Sequence, residues 1–216
     1  LVGSEMCIRD RDTRTIKKES LFIAIKGDKF DGNNFVEEAF ARGASIAVVD
    51  NKKFLKTRKK NIIYVKNTIK ALKKISENII KKYEGNVIAI TGSNGKTTTT
   101  NIIANSLINT SKTLGNYNNE IGMPLSIINA SPNSKNIVME IGASKIGDIN
   151  YLSKILKPFV GVITNIGNSH LETLKNINGV LNVKSEIVSN IKKNGYLIVP
   201  NENKKHLSYW KLIRND

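Results

Sequence analysis

The residues best suited to chemistry stand in the stretch AITGSNGKTTTT, residues 89–100. A polyphosphate needs many hydrogen-bond donors close together. Gly92 and Gly95 would let the backbone approach and turn its N–H groups inward, and a following helix N-terminus would add a favourable dipole. Lys96 can place a point charge on the outer phosphates, and Thr97 can offer a hydroxyl to Mg²⁺. The usual spacing for such a loop is G-x-x-x-x-G-K-[ST], and it fails here, because Ile90 stands five residues before Gly95. The pattern present is the shorter G-x-x-G-K-T. On this reading Gly92, Ser93, Asn94, Gly95, Lys96, Thr97 and Thr98 would surround a nucleotide phosphate. An ordinary Gly-Asn turn between a strand and a helix also fits these residues. The loop by itself does not name what is phosphorylated.

Three further groups follow apolar runs. Glu140 ends the run in VMEIGAS, where a carboxylate can hold Mg²⁺ beside the phosphates or simply face solvent at a sheet edge. Asn165, Asn168 and His170 follow the run in VITNIGNSHLE, and His170 is open to reading as a metal ligand, a phosphate contact or a turn residue. Lys184 is less expected. Ile177, Val180, Leu181, Ile187, Val188 and Ile191 draw one apolar helical stripe, and position 184 falls in its middle. A lysine there must snorkel, pair or be chemically altered, and desolvation would leave its amine neutral and nucleophilic. The Asn- and Gly-rich stretch LGNYNNEIGMPLS (114–126) reads as a loop feeding a short helix or strand. Its Asn side chains either bind a polar ligand or make turn hydrogen bonds.

These groups need a scaffold that brings strand ends together. Apolar runs at 87–91, 137–141, 159–164 and 196–199 read as buried strands, and helices are expected at 97–109, 146–156 and 177–191. In the helix at 146–156, Ile146, Ile149, Leu152, Ile155 and Leu156 form the apolar stripe. Such alternation predicts a mostly parallel sheet with covering helices, with ligands at the carboxyl ends of its strands. Upstream, strands are expected at 21–27, 45–50 and 61–65. A short helix in NNFVEEAFARGA should stop at Gly43, and a helix in TIKALKKISENIIKKY should turn Ile69, Leu72, Ile75 and Ile79 to one side. The stretch EGN (84–86) is the expected domain junction. The fold class is therefore α/β, with a small first domain over 12–84 and a P-loop, parallel-sheet domain from 85 to 216. Residues 1–11 lack periodicity and read as a non-native lead.

Composition narrows the partners. The net charge is +16, but the chain has 28 lysines, 28 asparagines and 31 isoleucines against six arginines. That bias matches AT-rich codons, and the basic residues are scattered apart from Lys52–Lys60. A solvated surface is expected, not a nucleic-acid interface. Cys7 is the one cysteine, which excludes a disulfide framework and a cysteine-based zinc site and suits a reduced, cytoplasmic setting. No apolar run approaches the ~18 residues of a membrane span.

Taken together, these residues resemble the Mur ligase family of peptidoglycan synthesis. TGSNGKTT is similar to that family's short phosphate loop. GNYNNEIGMPLS, MEIGASKIGDI, TNIGNSHLE and KSEI follow in the order of the branch that adds D-alanyl-D-alanine to UDP-MurNAc-tripeptide. DTR (12–14), LFIAIKG and DGNNFVEEAFARGA resemble its amino-terminal uridine-binding domain. The resemblance implies that ATP phosphorylates the terminal carboxylate and that the amine of D-alanyl-D-alanine then attacks the acyl phosphate. It implies Lys96 and the loop on the ATP phosphates, Thr97 and Glu140 on Mg²⁺, and His170 on a second metal. It implies Lys184 as a carbamate, and Thr13, Arg14, Asp31, Asn118 and Asn119 on the substrate. Lys96, His170 and Lys184 would be the catalytic set, in a cytoplasmic monomer. By the same resemblance the remainder of the ATP domain and a carboxy-terminal ligase domain are missing, so the chain alone is expected to have little or no ligase activity. The alternatives are the related branch that acts on UDP-MurNAc-dipeptide, a binding-only module, and an unrelated P-loop ATPase.

Overall fold

A computed structural model of the chain describes residues 16, 18–27, 30–56, 61–168 and 171–214. Two compact units are present, Leu1–Ser76 and Glu77–Asp216.

Among its described residues the first unit holds three parallel strands in the order β1 (Ser20–Ile23), β2 (Ala44–Val49), β3 (Ile62–Tyr64). Phe22 lies beside Ala47, and Ala47 beside Ile62. The strand expected over 21–27 ends at Ile23, although the extended backbone carries on as far as the bond from Ala24 N to Val48 O (2.9 Å). The expected first helix is a 3-10 turn, Gly32–Phe35, running into α1 (Val36–Ala41). Gly43 ends this segment as expected, with φ 108°, a backbone conformation glycine adopts without strain. Val36 and Ala39 pack with Phe22, Ala24, Ala47 and Val49 into the core. Helix α2 (Thr68–Lys82) follows, and the division between the units falls within it.

The second unit is a five-stranded sheet, all parallel, in the order β5 (Thr110–Lys112), β6 (Asn136–Glu140), β4 (Asn86–Thr91), β7 (Val160–Ile163), β8 (Tyr196–Ile198). Central strand β4 reads as a continuous apolar run because both its faces are covered. Val87 and Ala89 enter the larger core, while Ile88 and Ile90 pack with Ala104 and Val138 on the other face. The helices are α3 (Lys96–Ser106), α4 (Gly122–Ile128), α5 (Asp148–Leu156), α6 (Leu171–Leu174), α7 (Ile177–Ser185) and α8 (Lys204–Ile213).

The strand order creates a crevice. From β4 the chain leaves through α3 toward β5, on one side. From β6, the neighbour of β4, it leaves through α5 to β7 on the opposite side. Right-handed crossovers in opposite directions put their helices on opposite faces and open a gap at the carboxyl ends of β4 and β6. The phosphate loop and Glu140 lie there.

Some expected boundaries move. Ile146 does not belong to the buried stripe, since it precedes α5 in a turn and is 76% exposed, whereas Ile149, Leu152, Ile155 and Leu156 are buried. The helix expected over 177–191 stops at Ser185, with a short 3-10 turn at Val188–Asn190. The helix expected over 97–109 stops at Ser106, because the chain must turn into β5. Strand β5 has a polar sequence, Thr-Ser-Lys, with no apolar signal. Among the described residues no helix is long and apolar enough to cross a membrane.

Candidate functional site

The loop between β4 and α3 contains two glycines in conformations that other residues resist: Gly92 at φ 145° and Gly95 at φ 76°. At Gly92 space is also closed, since a Cβ would lie 1.9 Å from Thr164 Oγ1. The first helical bond of α3 runs from Thr99 N to Gly95 O (2.9 Å). The N–H groups of Lys96, Thr97 and Thr98 therefore sit ahead of any intrahelical acceptor, at the positive end of the helix dipole. Lys96 folds back over the loop, donating from Nζ to Gly92 O (3.1 Å) and Ser93 O (3.4 Å).

Glu140 closes the crevice from the β6 side. It is 3% exposed, and both carboxylate oxygens are engaged. Thr97 Oγ1 donates to Oε2 at 2.7 Å, and Asn118 Nδ2 donates to Oε1 at 2.8 Å. A hydroxyl and a carboxylate touching behind a phosphate loop make an all-oxygen donor pair. This pair fits Mg²⁺, which takes one or two carboxylates and completes its shell with water and phosphate oxygens. No cluster of three or more His, Cys, Asp or Glu that could hold a metal occurs among the described residues.

Lys184 is 1% exposed. Burial, and then the charge of Lys96, push its ammonium down from 10.5 to about 8; Asp148 and Glu186 pull the other way. Among the described residues no acceptor takes a hydrogen bond from its Nζ. Lys184 and Lys96 both line one cavity of about 640 Å³, together with Asn118, Glu120, Lys145 and Tyr151. Two cations facing one cavity favour loss of a proton from the more buried one.

The loop Gly142–Gly147 forms another wall of that cavity and is held by two carboxylates. Asp148 Oδ2 accepts from Ser144 N (2.9 Å) and Lys145 N (3.0 Å). Glu186 reaches from beyond α7 to accept from Gly147 N (2.7 Å) and Asn150 N (2.9 Å), covering free amides at the start of α5. Beside Lys184, Ser185 Oγ accepts from Trp210 Nε1 at 2.8 Å, which fixes α8 against α7.

The structure brings Gly92, Ser93, Asn94, Gly95, Lys96, Thr97, Thr98, Asn118, Glu140 and Lys184 around one crevice and cavity. Asn119 lines the cavity too, but its Oδ1 accepts from Gly122 N (2.8 Å) and Ile121 N (3.2 Å), which starts α4. His170, Thr13 and Arg14 lie outside the described residues. Asp31 belongs to the first unit and is bound into its frame. Its Oδ1 accepts from Asn33 N (2.9 Å) and Asn33 Nδ2 (2.7 Å), and these bonds hold its carboxyl below the usual range. Asn33, 2% exposed, also donates to Asp50 Oδ1 (2.9 Å) and accepts from Asp50 N and Asn51 N (both 3.2 Å). Asp50 Oδ2 in turn accepts from Thr68 N (3.3 Å) and Thr68 Oγ1 (3.2 Å).

Sequence reasoning missed Glu186 and the bond between Asn118 and Glu140. The Glu in KSEI gave a signal only by standing two residues after Lys184. The pairing of Asn118 with Glu140 joins residues 22 positions apart and had none.

Comparison with known proteins agrees with this architecture. The Mur ligase middle domain matches residues 90–215, and the Mur ligase family catalytic domain matches residues 11–80. The chain belongs to the Mur ligase family. It is 38% identical, over 87% of its length, to the UDP-N-acetylmuramoyl-tripeptide–D-alanyl-D-alanine ligase of Bacillus subtilis, covering 42% of that protein. To the ligase of the same name from Buchnera aphidicola it is 40% identical over 93% of its length, covering 44% of that protein. The crystal structure of MurF ligase from Thermotoga maritima in complex with ADP superposes with a TM-score of 0.85 at 31% identity, over 99% of this chain and 50% of that one. The chain thus spans about half the length of the relatives it matches.

Proposed function

We propose that this chain is part of an ATP-dependent amide ligase that joins D-alanyl-D-alanine to UDP-MurNAc-tripeptide. The observation that carries the reading is the gathering of Lys96, Lys184 and the Thr97–Glu140 pair at the carboxyl ends of β4 and β6. The relatives' names support the substrates, and the ADP named for the Thermotoga structure supports the nucleotide.

In this reading the carboxylate of the tripeptide attacks the γ-phosphorus of ATP, and ADP leaves. The amine of D-alanyl-D-alanine then attacks the acyl carbon, phosphate departs, and the amine gives up a proton. Mg²⁺, when bound, would neutralise charge on the phosphate oxygens. Thr97 and Glu140 would hold it, Asn118 would orient Glu140, and His170 would serve a second ion. The amides of Lys96, Thr97 and Thr98 and the Lys96 ammonium bind and align the phosphates. Positioning and fixed charge supply most of the rate in such a transfer. Lys184, poised near pH 8, can add CO₂ as a neutral amine, forming a carbamate and releasing one proton. Counted from the ammonium, the overall change releases two protons and replaces a buried cation with a carboxylate facing the same cavity. In the first unit, Thr13, Arg14 and Asp31 belong to the proposed UDP-sugar site, with Asp31 acting through the loop it holds. A cytoplasmic monomer completes the proposal.

Calorimetric titration with UDP-MurNAc-tripeptide, using UDP-MurNAc-dipeptide as control, tests the substrate. Saturable binding that prefers the tripeptide is expected. Preference for the dipeptide would move the chain to the branch that extends it.

A further inference from the structure

The phosphate loop is held from the side by the segment that follows β7. Asn165 Oδ1 accepts from Ser93 N at 3.1 Å and from Asn94 N at 2.9 Å. Ser93 N also donates to Asn165 O at 3.2 Å. The neighbours of Asn165 add to the clamp. Thr164 Oγ1 donates to Asn94 O (2.6 Å), and Ser93 Oγ both donates to Gly167 O (3.0 Å) and accepts from Gly167 N (2.9 Å).

A carboxamide suits this place. Its oxygen has two lone pairs and can take two successive backbone N–H groups. An aspartate could do so as well, but would set a formal negative charge beside a phosphate site. The bonds also divide the loop. Ser93 and Asn94 turn their amides to Asn165, while those of Lys96, Thr97 and Thr98 have no intrahelical acceptor. Ser93 and Asn94 therefore shape the site and do not offer backbone donors to it. A four-residue loop with a glycine at each end would otherwise sample many conformations, and each would have to be given up on binding.

We infer that Asn165 is a positioning residue for phosphate binding. By anchoring the first half of the loop it presents the donors of the second half in one fixed array, so that nucleotide binds without first ordering the loop. The inference rests on the nucleotide reading above.

The test uses the whole chain, as wild type, N165L and N165D. Mg-ADP affinity is measured by calorimetry, and exchange of the Ser93 and Asn94 amides by NMR in the absence of nucleotide. N165L keeps the side-chain size and loses the acceptor. It is expected to weaken Mg-ADP by about tenfold or more and to speed exchange of both amides, with a melting midpoint near that of wild type. N165D keeps the acceptor and is expected to protect both amides as wild type does, while its charge weakens Mg-ADP. Unchanged Mg-ADP affinity in N165L would overturn the inference. So would exchange in N165D as fast as in N165L, a result that stands even if N165L folds poorly. If wild type binds no nucleotide, the proposed function falls, and equal amide protection in wild type and N165L would separately overturn the brace.

Discussion

Both units carry buried polar side chains at the carboxyl ends of parallel strands, but they treat them differently. In the first unit Asn33 is fully engaged: its amide group donates to Asp31 and Asp50, and its oxygen accepts from Asp50 N and Asn51 N. In the second unit Lys184 is as deeply buried, yet no described residue accepts a hydrogen bond from its amine. Among the described residues the Lys96 ammonium bonds only to carbonyls of its own loop. A hydrogen-bonded buried polar group holds a fold together, whereas a cation that is buried beside a cavity without an acceptor costs stability and is available to another molecule there.

The largest effect should come from breaking the satisfied network. Asn33→Leu removes one bond from each of two carboxylates and takes the side-chain acceptor from Asp50 N and Asn51 N, while Asp31 keeps the residue 33 backbone N–H and Asp50 keeps Thr68. It is expected to destabilise the first unit by about 3 kcal/mol, read from urea unfolding, while Mg-ADP affinity stays unchanged. Loss of nucleotide binding in this variant would break the contrast.

Lys184→Met should act in the opposite direction. Below about pH 8 the lysine is protonated both folded and unfolded, and the cost of burying its charge is full. As pH rises from about 8 to 10.5, the folded amine is neutral while the unfolded one still binds a proton, so wild-type stability climbs. In CO₂-free buffer the variant should be about 2–3 kcal/mol more stable than wild type at pH 7, with the gap closing toward pH 10.5. A gap of equal size at both ends of that range would show that the lysine is not charge-strained.

Glu140→Gln sharpens the comparison least. It keeps the size of the side chain and removes the carboxylate beside Thr97. The gain in ADP affinity on adding Mg²⁺ should shrink by about tenfold, about 1.4 kcal/mol. An unchanged Mg²⁺ effect would remove Glu140 from the metal site.

Much of this was legible in the sequence, for identifiable reasons. The strand at 87–91 and the loop after it announce themselves because a doubly covered strand must be apolar throughout and the turn needs its glycines. Lys184 stood out because a stripe of Ile, Val and Leu leaves no room for a free charge. What escaped was either short, polar or paired over long distance. Strand β5 is three polar residues at a sheet edge, and Ile146 fits a helical period yet sits in the turn before α5. Asn165 was visible as a polar residue after a strand, but its work depends on backbone atoms 71 and 72 positions away. No local pattern records such a bond.

The proposed chemistry needs Lys184 to be reactive and not merely buried. Carbon-13 NMR of the folded chain, equilibrated with ¹³C-labelled bicarbonate near pH 8, tests this directly, with Lys184→Met as the control. A carbamate resonance present in wild type and absent from the variant is the predicted result. A folded, nucleotide-binding wild-type chain with no such resonance would contradict it.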